Sequence, residues 1–284
     1  MTKTLLTAAA AALITTGSLT AATIDGQNIL SEGLPLLAEQ DSPTGFGDST
    51  AGTQDSPGGS ELNRLYAEID GNTLTLAITG NLEGNFNKMF IFFDAVAGGE
   101  TALLSDNVDG GFNEINNLAG LQFSGASMDH GLRLEIGSGF YGVNFFDLID
   151  NSAFSVVSGG GPGDLPIANV GSGGITVGWD NSNATGVSDT AITDVGLADT
   201  GWEFEIDIMA AFGVDPRAIN ITAFVANGGG DFLSNQVLPG IGGGNAGSPG
   251  QNNFGFVQVA VPEPASATLA FALMLSAGAV RRRK

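Results

Sequence analysis

Apolar and polar residues alternate with a period of two along much of this chain. In "TLTLAIT" (73–79), Leu74, Leu76 and Ile78 fall on one face and Thr73, Thr75, Ala77 and Thr79 on the other, the pattern of a half-buried strand. "WEFEIDI" (202–208) repeats it with Trp202, Phe204, Ile206 and Ile208 against Glu203, Glu205 and Asp207. "KMFIFFDA" (88–95) is instead a continuous apolar run of strand length, suited to a central strand covered on both faces. "RLYAEID" (64–70) precedes "TLTLAIT" across Gly71-Asn72, a hairpin-like break. Further strand-length runs are "LAGLQF" (118–123), "LRLEI" (132–136), "FYGVNFFDLI" (140–149), "AFSVV" (153–157), "GITVGW" (174–179), "AINITAFVA" (218–226) and "FGFVQVAV" (254–261). Only "IMAAFG" (208–213) has a helical character. Short strands separated by Gly, Asn and Asp turns predict an all-β, antiparallel sandwich.

The domain read from these patterns covers residues 62–260. Residues 23–61 form a poorly patterned lead-in, and "EQDSPTGFGDSTAGTQDSPGGSE" (39–61) is dense in turn-forming residues. No repeat of fixed period is visible, which weighs against a propeller or solenoid. The 44 glycines fit many tight turns better than long helices.

Charge narrows the partners. The chain carries a formal −21, and between residues 23 and 260 Arg64, Lys88, Arg133 and Arg217 face all but one of its 30 acidic residues. Such a field repels nucleic-acid phosphates, so nucleic acid is excluded as a partner. Cysteine is absent, which removes disulfides and thiolate metal sites.

Candidate chemistry is sparse. Glu203, Glu205 and Asp207 stand about 6–7 Å apart along one strand face, a range open to paired-carboxylate glycoside hydrolysis. The simpler reading is a solvated polar face. His130 is the single histidine, and with no "GxSxG" elbow it reads as a structural or exposed residue in a turn before a strand. The loop "DNVDGGFNEINN" (106–117) gathers Asp106, Asp109, Asn113 and Glu114, hard oxygen donors of the kind calcium takes. Its spacing departs from the EF-hand pattern, with Val108 and Gly110 at the third and fifth positions. Turn formation is the competing reason for those residues. No catalytic residue is assigned.

The two ends speak of export. "MTKTLLTAAAAALITTGSLTAATIDG" has a basic start, an Ala/Leu-rich run and small residues at Thr20 and Ala22. This is the layout of a signal peptide (1–22) removed before Thr23. At the other end residues 265–280 are uncharged, span about 24 Å as a helix and run into Arg281, Arg282, Arg283 and Lys284. A basic cluster there stays on the cytoplasmic side. Val261, Pro262, Glu263 and Pro264, the apolar helix and the arginine cluster together resemble the PEP-CTERM sorting signal of Gram-negative bacteria. That resemblance covers residues 261–284. It implies transient insertion in the inner membrane, processing by an exosortase, and delivery to the outer envelope or extracellular matrix, with exopolysaccharide as a possible partner.

The body carries a second resemblance. "GSELNRLYAEIDGNTLTLAITGNL" followed far downstream by "GWEFEIDIMAAFGVDP" and another strand is similar to family-nine carbohydrate-binding modules and related DOMON-like domains. The resemblance implies a jelly-roll-like sandwich. The sugar site of that family uses paired tryptophans, whereas this chain has Trp179 and Trp202, the latter on the apolar face. The segment "GDFLSNQVLPG" (230–240) is similar to exported proteins of the same sorting class.

The expectation is therefore a non-enzymatic exported protein with a structural, adhesive or glycan-associated role and no cofactor besides possible calcium. Two alternatives stand beside it: a polysaccharide hydrolase, and a carbohydrate-binding module stacking sugars on Trp179, Tyr66, Tyr141 or phenylalanines. A concave face with two or more exposed aromatics favours binding. A cleft holding two carboxylates of divergent pKa favours hydrolysis.

Overall fold

The computed structural model describes residues 22–53, 56–188, 194–214 and 218–260. In chain order the strands are β1 (Leu36–Glu39), β2 (Gly47–Thr53), β3 (Ser56–Gly59), β4 (Glu61–Asp70), β5 (Thr73–Asn81) and β6 (Lys88–Asp94). They continue with β7 (Gln122–Phe123), β8 (His130–Gly137), β9 (Phe140–Asp147), β10 (Ser152–Gly159), β11 (Ile167–Ser172) and β12 (Ile175–Trp179). The last are β13 (Gly201–Asp207), β14 (Ala218–Ala226), β15 (Leu233–Leu238), β16 (Asn253–Phe254) and β17 (Val257–Ala260). The protein is all-β, with one short helix, α1 (Ile208–Phe212), among the described residues.

Two antiparallel sheets dominate. The first runs β1-β4-β5-β13-β12-β11, and the second β10-β9-β8-β6-β14-β15 with β17 also paired to β14. Leu74, Leu76 and Ile78 of β5 and Trp202, Phe204 and Ile206 of β13 lie in the same buried cluster as Met89, Ile91 and Phe93 of β6 and Leu132, Leu134 and Ile136 of β8. The two inner faces thus share one core. Period-two alternation dictates this, because a strand can turn only every second side chain toward the opposite sheet.

Strand β6 is central, flanked by β8 and β14. Its other face carries Phe90 and Phe92, which join Phe146, Phe224, Leu103, Ile115, Leu118, Phe123 and Phe254 in a second cluster beneath the long loops. Phe92 alone meets Phe90, Phe123, Phe146 and Phe224 at ring separations of 5.2–6.1 Å. Such pairs contribute about 0.5–1.5 kcal/mol each beyond burial. The doubly covered strand expected from "KMFIFF" is therefore present. So are the hairpin at Gly71, where φ is 60°, and the short helix after β13. That helix is capped by Asp207, whose side chain accepts the Ala210 N–H, and ends at Gly213 with φ 70°.

Three features depart from the sequence pattern. The lead-in is structured: β1 pairs with β4, setting Glu39 against Arg64, and β2 and β3 form a hairpin. Polar strand β15 is its anchor. Asn235 and Gln236 donate to the Pro43 and Ser42 carbonyls, while Asn235 Oδ1 accepts the Gly45 N–H. Residues 118–123 contribute only the two-residue β7, paired in parallel with β16, after a 3-10 turn at Glu114–Leu118. Among the described residues no helix is long and apolar enough to cross a membrane. The expected spanning helix, 265–280, lies outside them, as does most of the expected signal peptide.

Candidate functional site

On the outer face of the second sheet, alternation places Lys88 of β6, Arg133 and Glu135 of β8, and Asn144 of β9 side by side. Lys88 is opposite Glu135, and Arg133 is opposite Asn144. These side chains are buried. Buried charges must be paired, since desolvation without a partner costs several kcal/mol per ion.

The pairing closes a ring. Lys88 Nζ lies 3.2 Å from both Glu114 Oε1 and Glu135 Oε2. Arg133 Nη2 lies 3.0 Å from Glu114 Oε2 and 2.8 Å from Glu135 Oε1. Asp109 stands behind, 3.5 Å from Arg133 Nε. Burial pushes the Glu114 pKa up, but Arg133 and Lys88, helped by a backbone hydrogen bond, outweigh it and hold the carboxyl below its ordinary range. An ionised carboxylate of this kind accepts hydrogen bonds and has no proton to donate.

Over this ring opens a groove of about 720 Å³, bounded by Phe86, Phe112, Phe140, Glu114, Glu135, Asn144, Ser155 and Ser158 among others. That is ample for a few sugar rings or a drug-sized ligand. Phe112, at the tip of the 106–117 loop, is 92% exposed, and Phe86 is also exposed. Two of the rings rest on glycines. A Cβ at Gly137 would stand 2.4 Å from the Phe86 ring, and one at Gly142 would stand 2.7 Å from Phe140. Gly111 likewise lies over the Arg133 guanidinium, with a would-be Cβ 2.6 Å away. Phe86 itself has φ 70°, a left-handed conformation that is a real outlier for a bulky residue. Its N–H donates to the Ile136 carbonyl at 2.8 Å. Strain of this kind collects at functional positions.

The four residues considered for calcium divide. Asp109 is a hub for its own loop, accepting the N–H groups of Gly111, Asn113 and Ile115 at 2.8–3.1 Å. Glu114 faces the two cations. Asp106 is exposed, its carbonyl accepting from Asn151, and Asn113 Oδ1 accepts the Asp109 N–H. An added cation would compete with Arg133 and Lys88 for the same oxygens. Among the described residues no group of three or more His, Cys, Asp or Glu is arranged to hold a metal ion.

Several sequence-based readings need correction. Glu203 is not part of a solvated face. It is fully buried under residues 24–26, and Oε2 accepts the N–H groups of Asp25 and Gly26 at 2.9 and 2.7 Å. Glu205 and Asp207 are exposed as expected. His130 opens β8 rather than sitting in a turn, and it is buried. Its Nδ1 is 2.6 Å from Asp129 Oδ1 and its Nε2 3.5 Å from Asp147 Oδ2, so the ring sits between two carboxylates. Trp179, Tyr66 and Tyr141 are buried and offer no sugar platform; Trp202 is in the core, as its alternation requires.

The groove itself was missed. Its signal was a cation at the head of an apolar strand (Lys88) and another inside one (Arg133), each needing buried partners. Val261, Pro262, Glu263, Pro264, Arg281, Arg282 and Arg283 lie outside the described residues. Against protein-family models, curated proteins and solved structures, the chain shows no match.

Proposed function

We propose that this is an exported, non-catalytic glycan-binding protein of the bacterial envelope or extracellular matrix. In this reading the two sheets form a jelly-roll-like sandwich, and the second sheet presents the binding groove. The observation that carries it is the convergence of Phe86, Phe112 and Phe140 around a floor of ordered polar groups. Aromatic faces take the apolar faces of sugars, while Asn144, Ser155, Ser158 and the two carboxylates supply hydrogen-bonding partners. Single exposed apolar residues are ordinary, but several around one concavity mark a binding surface.

The preferred ligand is a neutral polysaccharide. The groove floor holds three carboxylates against two cations, and the body of the protein is strongly acidic, so a polyanionic glycan would meet repulsion. Hydrolysis is disfavoured because Glu114 and Glu135 both face Lys88 and Arg133 in one closed ring, whereas glycosidic cleavage needs one carboxyl placed to carry a proton to the leaving group. Export and processing rest on the two terminal signals, with signal peptidase and an exosortase as the partners in transit.

Affinity electrophoresis through gels containing neutral or uronate-rich polysaccharides tests the groove. Retardation by a neutral glycan, lost in Phe112→Ala, is expected. Equal retardation of Phe112→Ala, or mobility unaffected by every neutral polysaccharide, would overturn the reading.

A further inference from the structure

On the outer face of the first sheet two acids stand together without a cation. Glu203 of β13 lies opposite Gly178 of β12, and residues 24–26 cross the sheet at this point. A Cβ on Gly178 would be 2.4 Å from the Asp25 nitrogen, so only glycine admits the crossing chain. After the 3-10 turn Ile29–Ser31 the chain returns Glu32 to the same place. Glu32 Oε1 accepts the Thr23 N–H at 2.9 Å.

The other two carboxyl oxygens, Glu203 Oε1 and Glu32 Oε2, are buried with no donor from the rest of the protein, and the two side chains face each other, so that a proton held on Glu203 is shared with Glu32 and one negative charge remains on the pair. Burial raises the Glu203 pKa to about 9, and the neighbouring Glu32 adds to the rise. No lysine, arginine or histidine among the described residues forms an ion pair with either acid. A small hollow of about 250 Å³ opens beside Thr23, lined by Asp25, Gln27, Asn28, Ser31 and Glu32.

The missing cation is the one that leader removal would create. Hydrolysis of the Ala22–Thr23 peptide bond adds water across it, leaving a carboxylate on the leader and an amine on Thr23 that is protonated at neutral pH. We propose that Thr23 is the mature N-terminus and that its α-ammonium is the counter-ion of the Glu32 and Glu203 pair, so that processing itself fastens residues 23–32 onto the sheet. This rests on the export reading given above, and the test separates the two.

N-terminal sequencing of the exported protein is expected to begin at Thr23; a different first residue would overturn the processing assignment. Two otherwise full-length chains would then be compared by thermal melting in detergent, one beginning at Thr23 and one retaining Leu19–Ala22. The chain beginning at Thr23 is expected to melt about 2 °C higher, the range of a partly exposed ion pair in a domain of this size. Glu32→Gln should abolish that difference, and Glu203→Gln should reduce it. Equal melting of the two chains, or a difference that persists in Glu32→Gln, would overturn the ion pair even with sequencing at Thr23.

Discussion

Phe86 lies on Gly137, in the space a side chain would fill, with a would-be Cβ 2.4 Å from its ring. The ring is held there by a backbone with φ 70°, a conformation costing about 1–2 kcal/mol for an L-residue. Phe86→Gly removes both the strain and the groove wall. We expect its melting temperature to stay within about 3 °C of the parent, since relief of strain offsets the lost contacts and the added freedom of the unfolded chain. Polysaccharide retardation should fall at least tenfold in apparent affinity. Unchanged retardation would remove Phe86 from the site.

The ring of Lys88, Glu114, Arg133 and Glu135 makes Arg133 a keystone of the groove floor. Arg133→Met leaves Glu114 and Glu135 with Lys88 as their one cation and Asp109 with its backbone donors only, and unpaired buried charge costs about 3–5 kcal/mol. Urea denaturation at pH 7 should show a loss of that order, partly recovered when Glu114→Gln and Glu135→Gln are added. Lowering the pH acts on the same ring. Because the Glu114 pKa is depressed, its contribution is present above the ordinary glutamate pKa and is lost as pH falls through the lower folded value. A loss below about 1 kcal/mol in Arg133→Met would mean that water already relieves these charges.

The strands most visible in the sequence are those whose two faces meet different surroundings. Leu74, Leu76 and Ile78 of β5 and Trp202, Phe204 and Ile206 of β13 pack inward while their neighbours do not all do so, and the period of two records it. β15 carries no such record. Asn235 and Gln236 are buried through hydrogen bonds to chain nearly 200 residues away, and those partners have no trace in the local pattern. Glu203 was misread for the same reason, because alternation says which way a residue points and not what later covers it. The groove draws Phe86, Phe112 and Phe140 from separate segments, so their convergence is a property of topology alone. Trp179 shows the converse: a residue type that suits sugar stacking was spent on the core.

Glu61, which forms no ion pair among the described residues, gives a second pH test. It is fully buried, accepting the Ser188 N–H at 2.9 Å, and burial pushes its pKa up to about 8. A raised carboxyl contributes fully below the unfolded value near 4.5 and loses its contribution as pH rises through about 8. Glu61→Gln keeps the shape and removes the titration. Its stability relative to the parent should therefore grow from pH 4.5 to pH 8, by at most about 1.4 kcal/mol per pH unit, as followed by urea midpoints. A constant difference across that range would show that Glu61 does not titrate with folding.

The proposed sorting signal makes a prediction about where the fold ends. Strand β17 runs through Ala260, which pairs with Ala218 of β14, so residues 257–260 are held by the sheet up to the motif. Cleavage between Val261 and Pro264 would remove the apolar segment 265–280 and the arginine cluster while leaving the strand pairings of the described residues in place. In a host bearing an exosortase, intact mass and terminal peptide mapping should give a mature chain ending in that window and recovered outside the cell. Its melting temperature should match that of a chain stopped at Pro264, because both keep β17 through Ala260. Retention of Arg281 to Lys284 with the protein fixed in the inner membrane would make it an anchored periplasmic domain, and the matrix role would be abandoned even if the groove still bound glycan.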